Sequence, residues 1–283
     1  MNSGVISLSV LSRAFSILLL MSPVTAVAAE DSNVVTNVQQ CNAQGGESPD
    51  RQIAGCTELT NFATNPKTLA IIYNNRGNAY LRSEQYDLAV KDYDEAIKDD
   101  PNYVRALNNR GVAYQKKGDY DRALEDFEAA IKISPNYEHA FINRAETYLK
   151  KGDYDAAAKA FDDAIRVQPN LILLRNERCW TRAIIGDLSA ALDDCNAAVQ
   201  ATANDAAPFD SRGLVYLKMN RLDSAIIDYS AALKISPKLP SALYGRGLAE
   251  LKSGNLAGGN ADIAAAKAVD PNIVDKFSRY GLK

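Results

Sequence analysis

The sequence predicts an all-α fold, a solenoid in which antiparallel pairs of helices follow one another along the chain. The main observation is an Arg followed by Gly, Ala or Cys that recurs with a period of 34 residues. Its members are Arg76, Arg110, Arg144, Arg178, Arg212 and Arg246. Repeats of this length cannot bury their apolar side chains alone and must stack on their neighbours. An Arg present in every repeat is predicted to tether neighbouring helices or to cap backbone carbonyls, and not to bind a ligand.

Columns of small and aromatic residues recur with the same 34-residue period and in register with the Arg column. The small residues that follow each Arg are Gly77, Gly111, Ala145, Cys179, Gly213 and Gly247. The column 16 residues further on contains Tyr93, Phe127, Phe161, Cys195, Tyr229 and Ile263. Small residues allow two helices to pack closely, and an aromatic ring fills the gap beside them. Both columns are therefore predicted to be structural.

Together these columns resemble the motif of the tetratricopeptide repeat family, with Gly or Ala at position 8, an aromatic residue at position 24 and Pro at position 32. The resemblance covers residues 70–273. It implies a right-handed superhelical solenoid of antiparallel helix pairs. It also implies that the first helix of each repeat lines a concave face, where positions 2, 5, 6, 9, 12 and 13 lie nearest the groove.

The amino terminus, residues 1–29, has the pattern of a secretory signal peptide. Arg13 precedes the apolar run 14–21, and small residues at 26–29 offer a cleavage site before the acidic Glu30. An uncleaved anchor is the alternative, but a membrane span needs about 20 apolar residues, and Ser and Arg interrupt this run. We therefore expect export to the periplasm or beyond, with no membrane insertion after cleavage.

The remaining chain divides by the repeat phase. Residues 30–69 are predicted to form a degenerate helical hairpin. The six repeats are predicted at 70–103, 104–137, 138–171, 172–205, 206–239 and 240–273. Residues 274–283 follow as a capping helix, because Ile273, Val274, Phe277 and Tyr280 form an apolar stripe. The fourth repeat diverges most, since it carries Cys in both columns.

Turn residues predict where the helices begin and end. Gly118 and Gly152 follow first helices and are expected to adopt the left-handed conformation that ends a helix. Four pairs of a capping residue and a proline are predicted to start the next helix. They are Asp100-Pro101, Ser134-Pro135, Ser236-Pro237 and Asp270-Pro271.

The four cysteines are predicted to form two disulfides in an exported protein. Cys179 and Cys195 occupy positions 8 and 24, which the resemblance places opposite each other, and Cys41 and Cys56 match them in the degenerate hairpin. The repeat phase therefore selects these two pairs. A zinc site is the competing interpretation, although the spacing is not Cys-x-x-Cys and His139 is the only histidine. Redox-active thiols are a further alternative.

The candidate peptide-binding residues lie at groove positions. Position 6 carries Asn75, Asn109 and Asn143, with Asn74 and Asn108 beside them. Position 13 carries Arg82, Lys116 and Lys150, while Arg105 and His139 stand at position 2. The asparagines resemble the ladder with which some tetratricopeptide repeat proteins hold a peptide backbone. An extended or acidic peptide is therefore predicted in the groove of repeats one to three.

Structural explanations are the alternative for several of these residues. Asn is common near a helix start, and Lys at position 13 favours the carboxyl end of the first helix through the helix dipole. Trp180, the only tryptophan, stands at groove position 9 of the fourth repeat. It is either an interface anchor or a replacement for aromatic residues that this repeat has lost.

Composition narrows the function classes. The net charge is −3, and removal of Arg13 with the signal peptide makes it −4, so the sequence does not indicate a nucleic acid as partner. One His and no catalytic or nucleotide-binding motif predict a non-catalytic protein with no cofactor and no metal. The predicted function is a protein- or peptide-binding scaffold of the cell envelope. The alternatives are an adaptor that docks a hydrolase or protease through its convex face or an end repeat, and self-association through an end repeat.

Overall fold

A computed structural model describes residues 24–43, 46–202 and 204–282, with the backbone alone for residues 24–32. Within these ranges all regular structure is helical, and no helix is long and apolar enough to cross a membrane. Residues 1–23 of the predicted signal peptide lie outside the described residues. The fold class is the predicted one, an all-α solenoid of antiparallel helix pairs.

The helices follow the repeat period closely. The degenerate hairpin consists of α1 (Val24–Cys41) and α2 (Pro49–Thr60), so its first helix begins before residue 30, the predicted start of the hairpin. The six repeats contain α3 (Pro66–Arg82) and α4 (Tyr86–Asp99), α5 (Val104–Lys117) and α6 (Tyr120–Ile133), α7 (Glu138–Lys151) and α8 (Tyr154–Val167), α9 (Ile172–Ile185) and α10 (Leu188–Ala201), α11 (Ala206–Lys218) and α12 (Leu222–Ile235), and α13 (Pro240–Ser253) and α14 (Leu256–Val269). The last helix is α15 (Ile273–Arg279).

A left-handed residue separates the two helices of each repeat. Gly118 and Gly152 have φ of 81° and 82°, which confirms the predicted helix ends. Gly186 and Gly254 do the same in the fourth and sixth repeats, with φ of 93° and 95°. In the first and fifth repeats Glu84 and Asn220 occupy this place at φ of 60° and 58°. Side chains disfavour this conformation, so the turn geometry is set by the repeat and not by glycine alone.

The predicted helix starts at the four prolines are wrong. Asp100 follows the end of α4, and α5 begins only at Val104. Proline disfavours helical geometry in the residue before it, so Pro101 ends the second helix of its repeat and does not start the next one. The Asp100 carboxylate accepts a hydrogen bond from Asn102 N at 3.2 Å within this turn. Ser134, Ser236 and Asp270 likewise terminate α6, α12 and α14.

The described helices form two compact bodies, of which the first ends at residue 143 and the second begins at residue 144. In the first body α3 contacts both α1 and α5, and in the second body α11 contacts both α9 and α13. First helices of successive repeats therefore build a common surface in each body. We call this surface the inner face of that body.

Close packing explains the small and aromatic columns. A Cβ atom added to Gly111 would lie 2.6 Å from Cε1 of Phe127, and one added to Gly77 would lie 2.7 Å from Cε1 of Tyr93. Phe127 and Tyr93 are fully buried. The two columns therefore meet across each helix pair, and the residue at position 8 must be small where position 24 is aromatic.

Disulfides join the two cysteine pairs that the repeat phase predicts. Cys179 bonds to Cys195 with their Cα atoms 5.4 Å apart, and Cys41 bonds to Cys56 with a Cα–Cα distance of 4.6 Å. All four side chains are buried. In the fourth repeat the disulfide occupies the place that a small residue and an aromatic ring fill in its neighbours, as Ala145 and Phe161 do in the third repeat.

The Arg column tethers helices, as predicted. Its Nε and Nη2 atoms donate to an Asp on the second helix of the same repeat at 2.6–2.9 Å, in the pairs Arg76–Asp92, Arg110–Asp126, Arg178–Asp194, Arg212–Asp228 and Arg246–Asp262. The Nη1 atoms reach the second helix of the preceding pair at 2.6–3.2 Å, in the pairs Arg76–Thr57, Arg110–Asp94, Arg178–Asp162, Arg212–Asn196 and Arg246–Ser230. In the third repeat Ala160 replaces the Asp, and Arg144 donates to Asp163 at 2.8 Å. Each of these five arginines thus joins the two helices of its own repeat and also links that repeat to the helix pair before it.

Candidate binding surface on the inner face

The asparagines of the first body bond mainly to one another. Asn109 Nδ2 donates to Oδ1 of Asn74 at 3.0 Å and to Oδ1 of Asn78 at 2.9 Å. Asn143 Nδ2 donates to Asn108 Oδ1 at 2.9 Å. These bonds connect α3 to α5 and α5 to the first residues of α7. The amides therefore stabilise the stacking of first helices on one another.

The predicted ladder needs correction at three positions. Asn74, Asn75 and Asn108 are 1%, 0% and 5% exposed. Asn75 Nδ2 donates to Oδ1 of Asn42 at 3.3 Å, within the first body. Buried amides that already bond to their neighbours cannot hold the backbone of a ligand, so these three residues are structural. Asn109 and Asn143 are half-buried and keep part of their surface at the inner face.

Two members of this network were missed in the sequence. Asn78 accepts from Asn109 and also from the Tyr93 hydroxyl at 2.8 Å, and Asn42 precedes the first clear repeat. Asn78 stands at groove position 9, where the other repeats carry varied residues, so no column marked it. The signal available was a polar residue four positions after another Asn on the same helix, which places both on one face.

The predicted cations of the first body lie at its surface. Arg82 and Lys116 are exposed at the ends of α3 and α5. Arg82 Nη2 donates to Gln52 Oε1 at 2.6 Å. His139 is exposed and Arg105 is half-buried at the starts of α7 and α5. The inner face of the first body therefore carries positive or titratable groups at both ends of its first helices.

Two tyrosines accompany Arg105 and were not identified in the sequence. The Tyr103 hydroxyl is buried with no hydrogen-bond partner among the described residues. Burial raises the pKa of Tyr103 to about 12, although the charge of Arg105 opposes this rise. Burial also raises the pKa of Tyr137, again against Arg105. The ring of Tyr137 lies edge-on to His139 with centroids 5.5 Å apart. The charge of Arg105 at position 2 therefore acts on two tyrosine hydroxyls whose pKa values burial raises.

Two predicted residues fall in the second body. Lys150 is exposed near the end of α7. Trp180 is half-buried, and its ring makes edge contacts with Tyr154 and Tyr280 at centroid distances of 6.1 and 5.2 Å. These contacts favour the second interpretation of Trp180, a replacement for the aromatic residues that its repeat has lost, and its use as an interface anchor stays a prediction.

Arginines replace the missing aromatic residues of the fourth repeat. Arg182 donates to Asp194 at 2.8 Å and to Asp162 at 3.0 Å, and Arg175 lies 3.8 Å from Asp194. Together with Arg178, three cations surround one carboxylate that is 3% exposed. A buried carboxylate needs such partners, so this cluster is structural. In the described part of the chain no group of three or more His, Cys, Asp or Glu side chains could hold a metal ion.

Models of known protein families match much of the repeat region. Two models described as tetratricopeptide repeat match residues 74–138 and 114–175, and a third described as TPR repeat matches residues 213–254. Together they cover about half of the chain. No curated protein matches the sequence.

Solved structures with the same fold share little sequence. A tetratricopeptide repeat protein from Parabacteroides merdae is 16% identical, with a TM-score of 0.66 over 89% of this chain and 99% of its own. PilW, a type IV pilus biogenesis factor, is 18% identical, with a TM-score of 0.62 over 74% and 98%. YrrB, a TPR protein with an unusual peptide-binding site, is 18% identical, with a TM-score of 0.52 over 67% and 98%.

Proposed function

We propose, from the premise that this chain belongs to the tetratricopeptide repeat family, that it is a non-catalytic scaffold that binds an acidic peptide segment of a partner protein on the inner face of its first body. Proteins of this family bind protein or peptide partners. The observation that carries the finer proposal is the distribution of charge on that face. Basic side chains stand at both ends of α5, while the asparagine network between them holds the helices in place.

The chemistry of this face suits an extended acidic segment. Arg105 and Lys116 lie eleven residues apart on α5, which is about 16 Å along a helix axis. A peptide crossing the face would place carboxylates near both cations. Asn109 and Asn143 both stand at repeat position 6, between positions 2 and 13, which Arg105 and Lys116 occupy. They add amide groups that can donate and accept. Their half-buried side chains can meet the peptide backbone while they keep their bonds to Asn74 and Asn108.

The solved relatives support peptide binding in a limited way. YrrB is described as having an unusual peptide-binding site, and it shares the fold at low identity. The likeness supports the use of a helical-repeat surface for a peptide. The choice of the basic inner face rests on the residues of this chain alone.

We further propose that the protein works outside the cytoplasm, in the cell envelope. Two buried disulfides support this location because disulfides persist in oxidising compartments. The signal-peptide pattern of residues 1–29 supports it as well. PilW, described as a type IV pilus biogenesis factor, shares the fold and offers a precedent for assembly roles.

Charge reversal tests the proposed site. A labelled peptide of alternating Glu and Val is titrated against the wild type and the double variant Arg105→Glu, Lys116→Glu, with fluorescence anisotropy as the readout. We expect the double variant to bind at least about tenfold more weakly, equivalent to about 1.4 kcal/mol. We also expect wild-type binding to weaken in about 1 M salt, where the Debye length is about 3 Å.

The double variant Lys91→Glu, Lys132→Glu is the matched control. Lys91 and Lys132 are exposed lysines on the second helices α4 and α6, so their reversal changes the net charge by the same amount without changing the inner face. Binding of the peptide by this control should stay within about twofold of the wild type. Equal loss in the control and in the Arg105→Glu, Lys116→Glu variant would mean that net charge alone drives binding, and the proposed site would be wrong.

A further inference from the structure

The last ten described residues of the chain lie on the inner face of the second body. This segment, Ile273–Leu282, comprises α15 and the turn that follows it, and we call it the C-terminal segment. Ile273, Phe277 and Leu282 are 2%, 3% and 7% exposed. They share one apolar cluster with side chains of α9, α11 and α13. The segment therefore covers first helices of three repeats and not only the end of the last one.

Aromatic contacts fix the segment at two places. The ring of Phe277 lies edge-on to Tyr244 of α13 with centroids 4.7 Å apart. The ring of Tyr280 lies edge-on to Trp180 of α9 at 5.2 Å. Such pairs add to the free energy gained from burying the rings. Tyr280 thus reaches a repeat that lies one hundred residues earlier in the sequence.

A lysine recognises the backbone of the segment. Lys218 Nζ donates to the carbonyl oxygen of Tyr280 at 2.9 Å and to the carbonyl oxygen of Ile184 at 3.0 Å. Burial lowers the pKa of Lys218. The amine therefore bridges α9 and the segment through main-chain oxygens, which any sequence of suitable shape would also present.

Around the Lys218 amine, the side chains beneath the segment are aromatic and apolar, unlike those on the inner face of the first body. Tyr244 and Leu248 occupy positions 5 and 9 of the sixth repeat, where the first repeat has Asn74 and Asn78. Leu248 is 7% exposed in the presence of the segment and belongs to the same cluster as Phe277. Without the segment these side chains would face solvent as one groove, which we call the apolar groove.

The segment holds little structure of its own. Helix α15 has seven residues, and isolated helices shorter than about 12 residues are marginal in water. Its attachment to the sixth repeat is a turn in which Asp270 accepts from Asn272 N at 3.0 Å and from Lys276 Nζ at 2.7 Å. The order of the segment thus depends on contacts with the apolar groove. Local opening of a terminal segment costs less free energy than global unfolding.

We propose that the C-terminal segment is an intramolecular ligand of the apolar groove, and that the released groove binds an amphipathic helix of the same pattern from a partner protein. In this pattern an apolar residue at i is followed by aromatic residues at i+4 and i+7, which are Ile273, Phe277 and Tyr280 in the segment itself. Helix-in-groove recognition uses such spaced anchors. This inference does not rest on the acidic-peptide site, because it concerns a different body and a different chemistry.

A peptide supplied in trans tests the inference. The probe is a fluorescein-labelled peptide with the sequence of residues 270–283, titrated against the full chain and its variant Phe277→Ala, Tyr280→Ala. The intact segment competes with the probe, which lowers apparent affinity by the fraction of open groove. We expect the variant to bind the probe at least tenfold more tightly than the wild type. Trp180 is the only tryptophan, so its emission should shift to longer wavelength in the variant and return on addition of the peptide.

Two further variants make the result specific. Trp180→Ala added to the double variant should abolish the tightening. Phe62→Ala, at an exposed aromatic of the first body, should bind the probe as the wild type does. Equal affinity of the wild type and the double variant would overturn the inference. Loss of the helical circular dichroism signal in the double variant would also overturn it, because the segment would then belong to the cooperative core.

Hydrogen exchange of the wild type gives an independent test. The amides of Tyr280 and Leu282 bond to carbonyl oxygens within the segment. They should exchange at least tenfold faster than the interior amides of α11 and α13. Exchange at the same rate as α11 would contradict a separately opening segment.

Discussion

Arg212 illustrates how a residue present in every repeat serves the structure and not a ligand. Its guanidinium donates two hydrogen bonds to Asp228 at 2.6 and 2.9 Å and a third to Asn196 of the preceding repeat. Asp228 is 3% exposed. Bidentate pairs of this kind fix geometry as well as contribute free energy. The recurrence of a cation from repeat to repeat is therefore explained by the carboxylate that faces it.

Arg212→Met is expected to destabilise the protein by about 3 kcal/mol, because it leaves the Asp228 carboxylate buried without its partner. Chemical denaturation followed by circular dichroism measures the change. Lys98→Met is the control, since Lys98 pairs with Glu95 at the exposed surface of α4. Such surface pairs contribute about 0–1 kcal/mol. A loss at Arg212 no larger than that at Lys98 would contradict the structural role of the Arg column.

The stability of the second body is predicted to depend on pH through Asp210. Burial raises the pKa of its carboxyl to about 6, although a hydrogen bond from Ser241 opposes the rise. The usual value is about 3.9, so between these values the folded state binds more protons than the unfolded state. The free energy of unfolding should therefore fall as pH rises from about 4 to about 6.

Asp210→Asn should remove this dependence and raise stability at pH 7 by up to about 3 kcal/mol. Thermal melts of the wild type and the variant at pH 4 and pH 7 measure it. The difference between the two proteins should be larger at pH 7. A difference that is the same at both pH values would show that the Asp210 carboxyl is not held in its neutral form by burial.

The sequence reveals some residues far better than others. The disulfide between Cys179 and Cys195 could be predicted because the repeat pattern places position 8 opposite position 24. The roles of Asn75 and Trp180 could not, because each depends on a neighbour outside the periodic pattern, namely Asn42 and Tyr280. Residues at equivalent positions of the repeats report the packing that every repeat shares. A contact between one repeat and a chain terminus occurs once, so it leaves no periodic signal in the sequence.

At the scale of helices, the space between the two helices of a repeat is filled in two different ways. Most pairs oppose a small residue and an aromatic ring, as Gly111 and Phe127 do, while the fourth pair opposes two cysteines. The disulfide closes a loop of about 16 residues, for which the chain-entropy model gives about 3 kcal/mol. Either solution fills the space between α9 and α10.

Restoration of the common pair tests this equivalence. Cys179→Gly with Cys195→Phe should give a folded protein that retains most of its stability under reducing conditions, because the ring fills the space left by the disulfide. Cys179→Ala with Cys195→Ala should be less stable than the Gly–Phe variant by about 1–3 kcal/mol, since small side chains leave a cavity. Denaturation midpoints of the two variants decide the order. The reverse order would show that the fourth pair has its own geometry.

The prolines show why helix boundaries were harder to predict than helix pairs. A capping residue followed by proline is compatible with a helix start, and it is equally compatible with the end of the preceding helix. In this chain the second helix extends to the residue before Asp100, and the turn then takes Pro101. The 34-residue period fixes the number of helices but not which side of the turn a proline belongs to.

At the scale of the whole molecule, the two bodies present inner faces of different chemistry. The first body offers Arg105, Lys116 and His139 around an asparagine network, on a chain whose net charge is −3. The second body offers apolar side chains that its own C-terminal segment covers. We therefore propose that one repeat architecture binds an acidic peptide on the face of the first body and an amphipathic helix on the face of the second.

The most direct test of the central claim is to locate the acidic peptide on the chain. A peptide of alternating Glu and Val that carries a photoreactive group is irradiated with the full-length protein, and mass spectrometry of the digest identifies the attached residues. We predict attachment within residues 66–82 and 104–117, the first helices α3 and α5. Attachment confined to the second helices α4 and α6, or to residues 144–283, would contradict the account.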